Sequence, residues 1–196
     1  MIGIIDYGAG NMGSLTNALK HLGIPFLRSN SPDKLVEVDK LILPGVGAFG
    51  PAMDRLNQLH LSSFLQKWAY NQKPLLGICL GMQLIFSESD ENGNHRGLNI
   101  IPGKVKKIKN SLRSIHIGWN HVQLSGKSTT LSHSGFAYFV HAFACHPRDN
   151  NVVIGTTEYG EQFPSVIQME KVFGVQFHPE KSQDFGLDIL KRFSHV

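Results

Sequence analysis

Short apolar runs, each followed by a segment of helical periodicity, fill the first half of the chain, and this alternation limits the folds open to it. Ile2–Ile5 reads as a strand ending in glycines. Residues 11–22 read as a helix with Met12, Leu15, Leu19 and Leu22 on one stripe. Residues 25–28 and Lys40–Leu43 are further strands, the second stopped by Pro44 and Gly45. Residues 52–70 read as one helix, with Met53, Leu56, Leu59, Phe64, Leu65 and Trp68 available to a core. Residues 74–79 form an apolar strand and residues 80–87 a helix. Parallel strands need crossover connections, and helices supply them while covering both sheet faces. The second half differs. Residues 105–108, 120–124, 137–143, 152–157, 166–170 and 172–177 read as strands, several with short connections that favour antiparallel neighbours. A last helix spans 184–193. The expected fold is one α/β domain over residues 1–196, a mostly parallel central sheet flanked by helices, with an antiparallel addition in the second half.

Composition removes several classes. A chain of 196 residues is ample for one core, and 41% hydrophobic against 17% charged residues argues against disorder. The net charge is +4. Its densest cluster, Lys104, Lys106, Lys107 and Lys109, alternates with Val105 and Ile108 as a solvated strand face does. No nucleic-acid reader motif accompanies it, so no nucleic-acid partner is expected. No run of about 18 apolar residues occurs, so no membrane association is expected. The first residues meet Asp6 at once and read as a strand, not a signal peptide. Two cysteines, Cys79 and Cys145, are too few for a disulfide framework and fit a cytoplasmic location. Ten histidines occur without HExxH or CxxC spacing, so neither a metal nor another cofactor is expected.

Three signals carry chemistry. Gly8-Ala9-Gly10-Asn11-Met12-Gly13 matches the dinucleotide turn G-x-G-x-x-G between a strand and a helix. The acid that such a site needs near the end of the next strand is missing: Phe26, Leu27, Arg28 and Ser29 stand there. A tight turn is the plainer reading. Gly77-Ile78-Cys79-Leu80-Gly81 is the cysteine form of a nucleophile elbow, with a helix start that favours thiolate and presents N–H groups to an oxyanion. A buried structural cysteine is the alternative. Phe177-His178-Pro179-Glu180 offers a base and its orienting acid two residues apart, where an extended segment points them to one side. Alone it is a turn; with the elbow it completes a Cys–His–Glu triad candidate.

Together these residues resemble the class I glutamine amidotransferase family over essentially the whole chain. Residues 77–83 are similar to its nucleophile motif, 175–180 to its His–Glu motif and 43–47 to its oxyanion-hole loop. The resemblance implies the family's three-layer fold and hydrolysis of L-glutamine to glutamate and ammonia, with Cys79 as nucleophile, His178 as proton shuttle and Glu180 orienting it. It implies oxyanion donors at Leu80, Val46 and Gly47, each worth about 3–4 kcal/mol of barrier. Gln83 and Glu91, with backbone from Gly47, Ala142 and Phe143, would hold glutamine; helix surface is the other reading of Gln83 and Glu91.

Ammonia released to water is wasted, so the resemblance also implies docking on a (β/α)8 synthase subunit, with Asn11, Trp119, Asn120 and Lys181 on the docking face. Residues 5–11, 44–47, 116–120, 138–141 and 178–182 carry a likeness to members serving histidine biosynthesis, where the synthase would make imidazole glycerol phosphate and aminoimidazole carboxamide ribotide. Members serving sugar amidotransferases that make amidino sugars for surface polysaccharide are the second reading, and a nucleotide-binding oxidoreductase built on the Gly8–Gly13 turn is a distant third. Ala142 and Phe143 depart from the family's Ser or Thr followed by Tyr.

Overall fold

The structure, a computed structural model, describes residues 1–109, 115–125 and 133–196. Its first half is built from β1 (Ile2–Ile5), α1 (Met12–His21), β2 (Phe26–Ser29), α2 (Pro32–Leu35), β3 (Lys40–Leu43), α3 (Phe49–Gln58), α4 (Leu61–Tyr70), β4 (Leu75–Ile78) and α5 (Leu80–Leu84). The rest comprises β5 (Phe86–Ser89), β6 (His95–Arg96), β7 (Ile101–Lys107), β8 (His116–Leu124), β9 (Gly135–His141), β10 (Phe143–Pro147), β11 (Val153–Glu158), β12 (Gln162–Met169), β13 (Val172–Val175) and α6 (Gln183–Phe193).

One nine-stranded sheet runs β2-β1-β3-β4-β13-β12-β11-β8-β9. From β2 to β13 all pairs are parallel, and from β13 to β9 all are antiparallel. Every residue of β1, β3, β4 and β13 is buried, as a sheet covered on both faces requires. Ile2, Ile4 and Leu76 meet Leu15 and Leu19 of α1 and Ile189, Leu190 and Phe193 of α6 in one core. Leu41, Leu43 and Leu75 meet Met53 and Leu56 of α3 and Leu61, Leu65 and Trp68 of α4 in the other. No helix among the described residues is long and apolar enough to cross a membrane.

Four expected elements divide differently. Residues 52–70 are two helices, because His60 adopts φ 58° and ψ 18° and turns the chain between α3 and α4. Both halves still face the same core, so the apolar period alone does not expose the break. Residues 80–87 are helical only to Leu84; Phe86 then pairs with Ile101 in a second, four-stranded sheet ordered β10-β7-β5-β6. Residues 137–143 are two strands: β9 pairs with β8, whereas β10 pairs with β7. Ala142 is where the chain leaves one sheet for the other. Residues 172–177 are a strand only to Val175. The lysine cluster lies on β7, with Lys104, Lys106 and Lys107 exposed and Val105 buried.

The β4–α5 connection depends on missing side chains. A Cβ on Gly81 would stand 1.8 Å from the Leu43 carbonyl oxygen, and one on Gly77 would stand 2.7 Å from the Gly81 oxygen. A Cβ on Gly45 would reach 2.8 Å from the Leu80 Cβ. Backbone therefore packs on backbone where β3, β4 and α5 meet. Gly81→Ala should destabilise the chain by about 2 kcal/mol or more, since the obstructing atom cannot swing aside. Thermal melting should show a fall of roughly 4–8 °C for a chain of this size; an unchanged Tm would contradict the close contact.

Candidate active site

Pairing of β4 with β13 sets Leu75 opposite Val172 and Ile78 opposite Val175, so the two strands end level. Cys79 follows β4 immediately, and His178 lies three residues beyond β13. On the other side of β4, β3 ends at Leu43 and leads into Pro44–Gly47. The carboxyl ends of three adjacent parallel strands thus carry all three motifs, where α/β sheets commonly place their reactive groups.

Cys79 sits at φ 54° and ψ −110°, a backbone region costly for a residue with a side chain. Its N–H donates to Val175 O at 2.8 Å and its carbonyl accepts from Gln83 N at 3.2 Å, which hold the turn in place. The Leu80 N–H opens α5, where first-turn donors have no partner within the helix. Cys79 is 5% exposed. The buried Gln176 side chain directs Nε2 at Sγ from 3.9 Å. Burial and the neighbouring Cys79 push the Tyr7 hydroxyl far up, and that hydroxyl donates to Pro44 O at 3.0 Å.

His178 Nδ1 lies 2.9 Å from Glu180 Oε1, and both side chains are almost fully buried. Nε2 and Glu180 Oε2 are buried and meet no standard hydrogen-bond partner. Burial pulls His178 down, but the Cys79 thiol and the Glu180 carboxylate together outweigh it and raise the imidazole from 6.5 to about 10. The turn carrying His178 is tied to β9: His178 N donates to Tyr138 O at 3.0 Å, Tyr138 N donates to Ser182 Oγ at 2.9 Å, and Ser182 Oγ donates to His178 O at 2.6 Å.

A cavity of about 330 Å³ opens beside the sulfur, lined by Val46, Gly47, Cys79, Leu80, Gln83, Glu91, His141, Ala142 and Phe143 among others. Every residue expected to hold glutamine or the oxyanion therefore lines this cavity. Gln83 is buried within α5 and donates to Phe143 O at 3.0 Å and Gln176 Oε1 at 3.3 Å, so it is not helix surface. Nor is Glu91: it follows β5 in a turn, and its Oε2 accepts from Phe49 N at 2.8 Å, at the start of α3. The Ala142 carbonyl is occupied by Ile108 N at 2.9 Å. Gly47 takes φ 100°, and no atom lies within 4 Å of where its Cβ would be.

The four expected docking residues separate. Trp119 is 48% exposed and stands opposite Tyr138 on the outer face of β8 and β9, with Ile117, Phe136 and Val140 also exposed. Lys181 Nζ lies 5.7 Å from the Tyr138 ring centre. Asn120, adjacent to Trp119 in an extended strand, faces the other way; its Nδ2 donates to Glu158 O at 2.8 Å. Asn11 accepts from Ser14 N at 3.3 Å and caps α1.

In the glycine turn, Gly10 at φ 129° brings its backbone near Pro44. Arg28, at the place a dinucleotide site reserves for an acid, pairs with Asp6 at 2.7 Å. Among the residues not singled out from sequence, Tyr7, Gln176, His141 and Ser182 all touch the site. Gln176 lies within the His–Glu motif and Ser182 just beyond it, yet only tertiary pairing shows what they contact.

The profile of the Glutamine amidotransferase class-I family matches residues 3–195. The chain belongs to this family. Imidazole glycerol phosphate synthase subunit HisH of Bacillus subtilis is 43% identical, with 100% of this chain and 96% of that protein covered. The chloroplastic imidazole glycerol phosphate synthase hisHF of Arabidopsis thaliana is 46% identical, with 100% of this chain and 34% of that protein covered. A crystal structure of a glutamine amidotransferase superposes with a TM-score of 0.80 at 20% identity, covering 100% of this chain and 99% of the other; it supports the amidotransferase fold.

Because the folded pKa of His178 is raised, its stabilising contribution is fully present below pH 6.5 and disappears as pH rises through about 10. Cys79→Ala removes one upward contribution while burial remains. A carbon-detected imidazole titration should find His178 well below 10 in that variant. An unchanged titration would show that the thiol does not act on it.

Proposed function

We propose that the chain is the glutaminase subunit of an imidazole glycerol phosphate synthase, working as a single domain over residues 1–196 in the cytoplasm. The observation that carries this reading is the alignment of Cys79, His178 and Glu180 beside a pocket holding Gln83 and Glu91. The full-length likeness to HisH subunits supports the histidine pathway over sugar amidination. Nothing at the Gly8–Gly13 turn favours the nucleotide reading, with Arg28 paired to Asp6.

In this reading Cys79 Sγ, as the thiolate whose proton His178 holds, attacks the side-chain amide carbon of L-glutamine. The oxygen of the tetrahedral adduct is met by N–H groups of Leu80 and the Val46–Gly47 loop. His178, oriented by Glu180, gives its Nε2 proton to the leaving nitrogen as the C–N bond breaks, and ammonia departs. Water then attacks the glutamyl thioester and yields its proton to His178. The C–S bond breaks, and glutamate leaves with the thiolate restored. A raised His178 pKa suits the donor role, because the ring holds its proton at neutral pH.

The ammonia is delivered to a (β/α)8 cyclase subunit, which makes imidazole glycerol phosphate and aminoimidazole carboxamide ribotide. The exposed face of Ile117, Trp119, Phe136 and Val140, with Tyr138 and Lys181 beside it, suits such a partner: aromatic anchors on the last two strands of the nine-stranded sheet. Asn11 lies at the start of α1, and Asn120 acts from beneath the face.

Cys79→Ala should abolish glutamine-dependent synthesis by the reconstituted complex yet leave synthesis from added ammonium unchanged. Loss of both would make Cys79 a structural residue. Trp119→Ala should weaken cyclase binding by about 30-fold, equivalent to roughly 2 kcal/mol, in a titration with the cyclase. A large fall in the melting temperature of the isolated chain would instead place Trp119 in the fold.

A further inference from the structure

Two buried histidines outside the triad form a polar chain whose direction is set by chemistry. The Phe143 carbonyl can only accept, so His141 Nδ1, 2.9 Å away, donates to it. In a neutral ring His141 Nε2 then accepts, and its partner at 3.1 Å, His116 Nδ1, must carry a hydrogen. His116 Nε2 in turn accepts from Asn120 Nδ2 at 3.2 Å. Asn120 is fixed in this orientation at both ends: its second amide hydrogen goes to Glu158 O and its Oδ1 accepts from His121 N at 2.8 Å. His116 lies between the rings of Tyr159 and Phe139, with centroids 4.0 and 4.6 Å away. Burial depresses both histidines, His116 to about 4 and His141 to about 3, so both rings are neutral at ordinary pH.

The chain ends on the pocket. Phe143 O also accepts from Gln83, whose second hydrogen goes to Gln176, and Gln176 faces Cys79 Sγ. The acceptor that orients Gln83 is thus held from behind by His141, at the break where the strand changes sheets. A leucine at 141 would fill space but leave Phe143 O one donor short and free the end of β9 to shift.

We propose that His141, locked as its Nδ1–H tautomer by His116 and Asn120, is a positioning residue that sets the Phe143 carbonyl and Gln83 for glutamine binding. The clause on glutamine rests on the glutaminase reading; the tautomer and the wall geometry do not.

Two measurements test it. Nitrogen–proton correlation on the full chain with labelled histidine should show neutral Nδ1–H tautomers for both His116 and His141. The Nε2–H tautomer or a charged ring at neutral pH would overturn the proposal. In the complex with its cyclase, His141→Leu should raise KM for glutamine about tenfold, equivalent to about 1.4 kcal/mol, with kcat within threefold. His141→Gln keeps one donor and one acceptor in sequence and should bring KM back to within threefold of the wild type. Equal KM in both variants and the wild type would overturn the positioning role, as would an equal loss in both. Absence of glutamine hydrolysis by the wild-type complex would overturn the glutaminase reading instead, leaving the tautomers to decide the chain.

Discussion

The contact of Gly81 with the Leu43 carbonyl, too close for any side chain, is the constraint on which the rest of the site depends. It seats the first turn of α5 on the end of β3. Cys79 must then turn through a strained conformation, since β4 ends at Ile78 and α5 begins at Leu80. The same contact brings the Pro44–Gly47 loop beside the sulfur. Relaxing it by one methyl group would move Cys79 relative to every donor around it. Strain at one residue is tolerable because three buried strands fix both ends of the turn.

Buried polar groups at the site surround two atoms that have no hydrogen-bond partner. Apart from Ser62 Oγ, the buried side-chain polar atoms without a partner among the described residues are His178 Nε2 and Glu180 Oε2. Such atoms are rare in native interiors because each carries a desolvation cost. Here they belong to the ion-paired His178 and Glu180, of which His178 neighbours Cys79. The surrounding groups are satisfied: Gln83, Gln176, His116, His141 and Ser182 each have defined partners. In the proposed reaction, hydrogen-bonded neighbours would hold this pair while His178 gives and takes a proton.

The first-half sheet was readable because its signals are local. Apolar runs of strand length end at glycine or proline, and the helices between them repeat on one face. The three motifs were readable for a related reason: each sits at the end of one such strand, within a few residues. The division of residues 52–70, 80–87 and 137–143 was not, because each break occurs between two stretches that are both buried. Phe86 could pack as a helix residue or a strand residue, and pairing with Ile101 decides it. Likewise, nothing near Glu91 reveals that Phe49 N is its partner.

The sequence by itself determined the candidate reactive groups, the α/β class and the turns that carry Cys79 and His178, since these follow from residue type and spacing within short windows. Only the tertiary structure decided which of them meet. The level ends of β4 and β13 bring Cys79 to His178 from 99 residues away in the chain. The sheet change at Ala142 places Phe143 over Gln83, and the pleat of β8 turns Trp119 outward and Asn120 inward. Each of these is a long-range hydrogen-bond register, and register is the quantity that local periodicity does not encode.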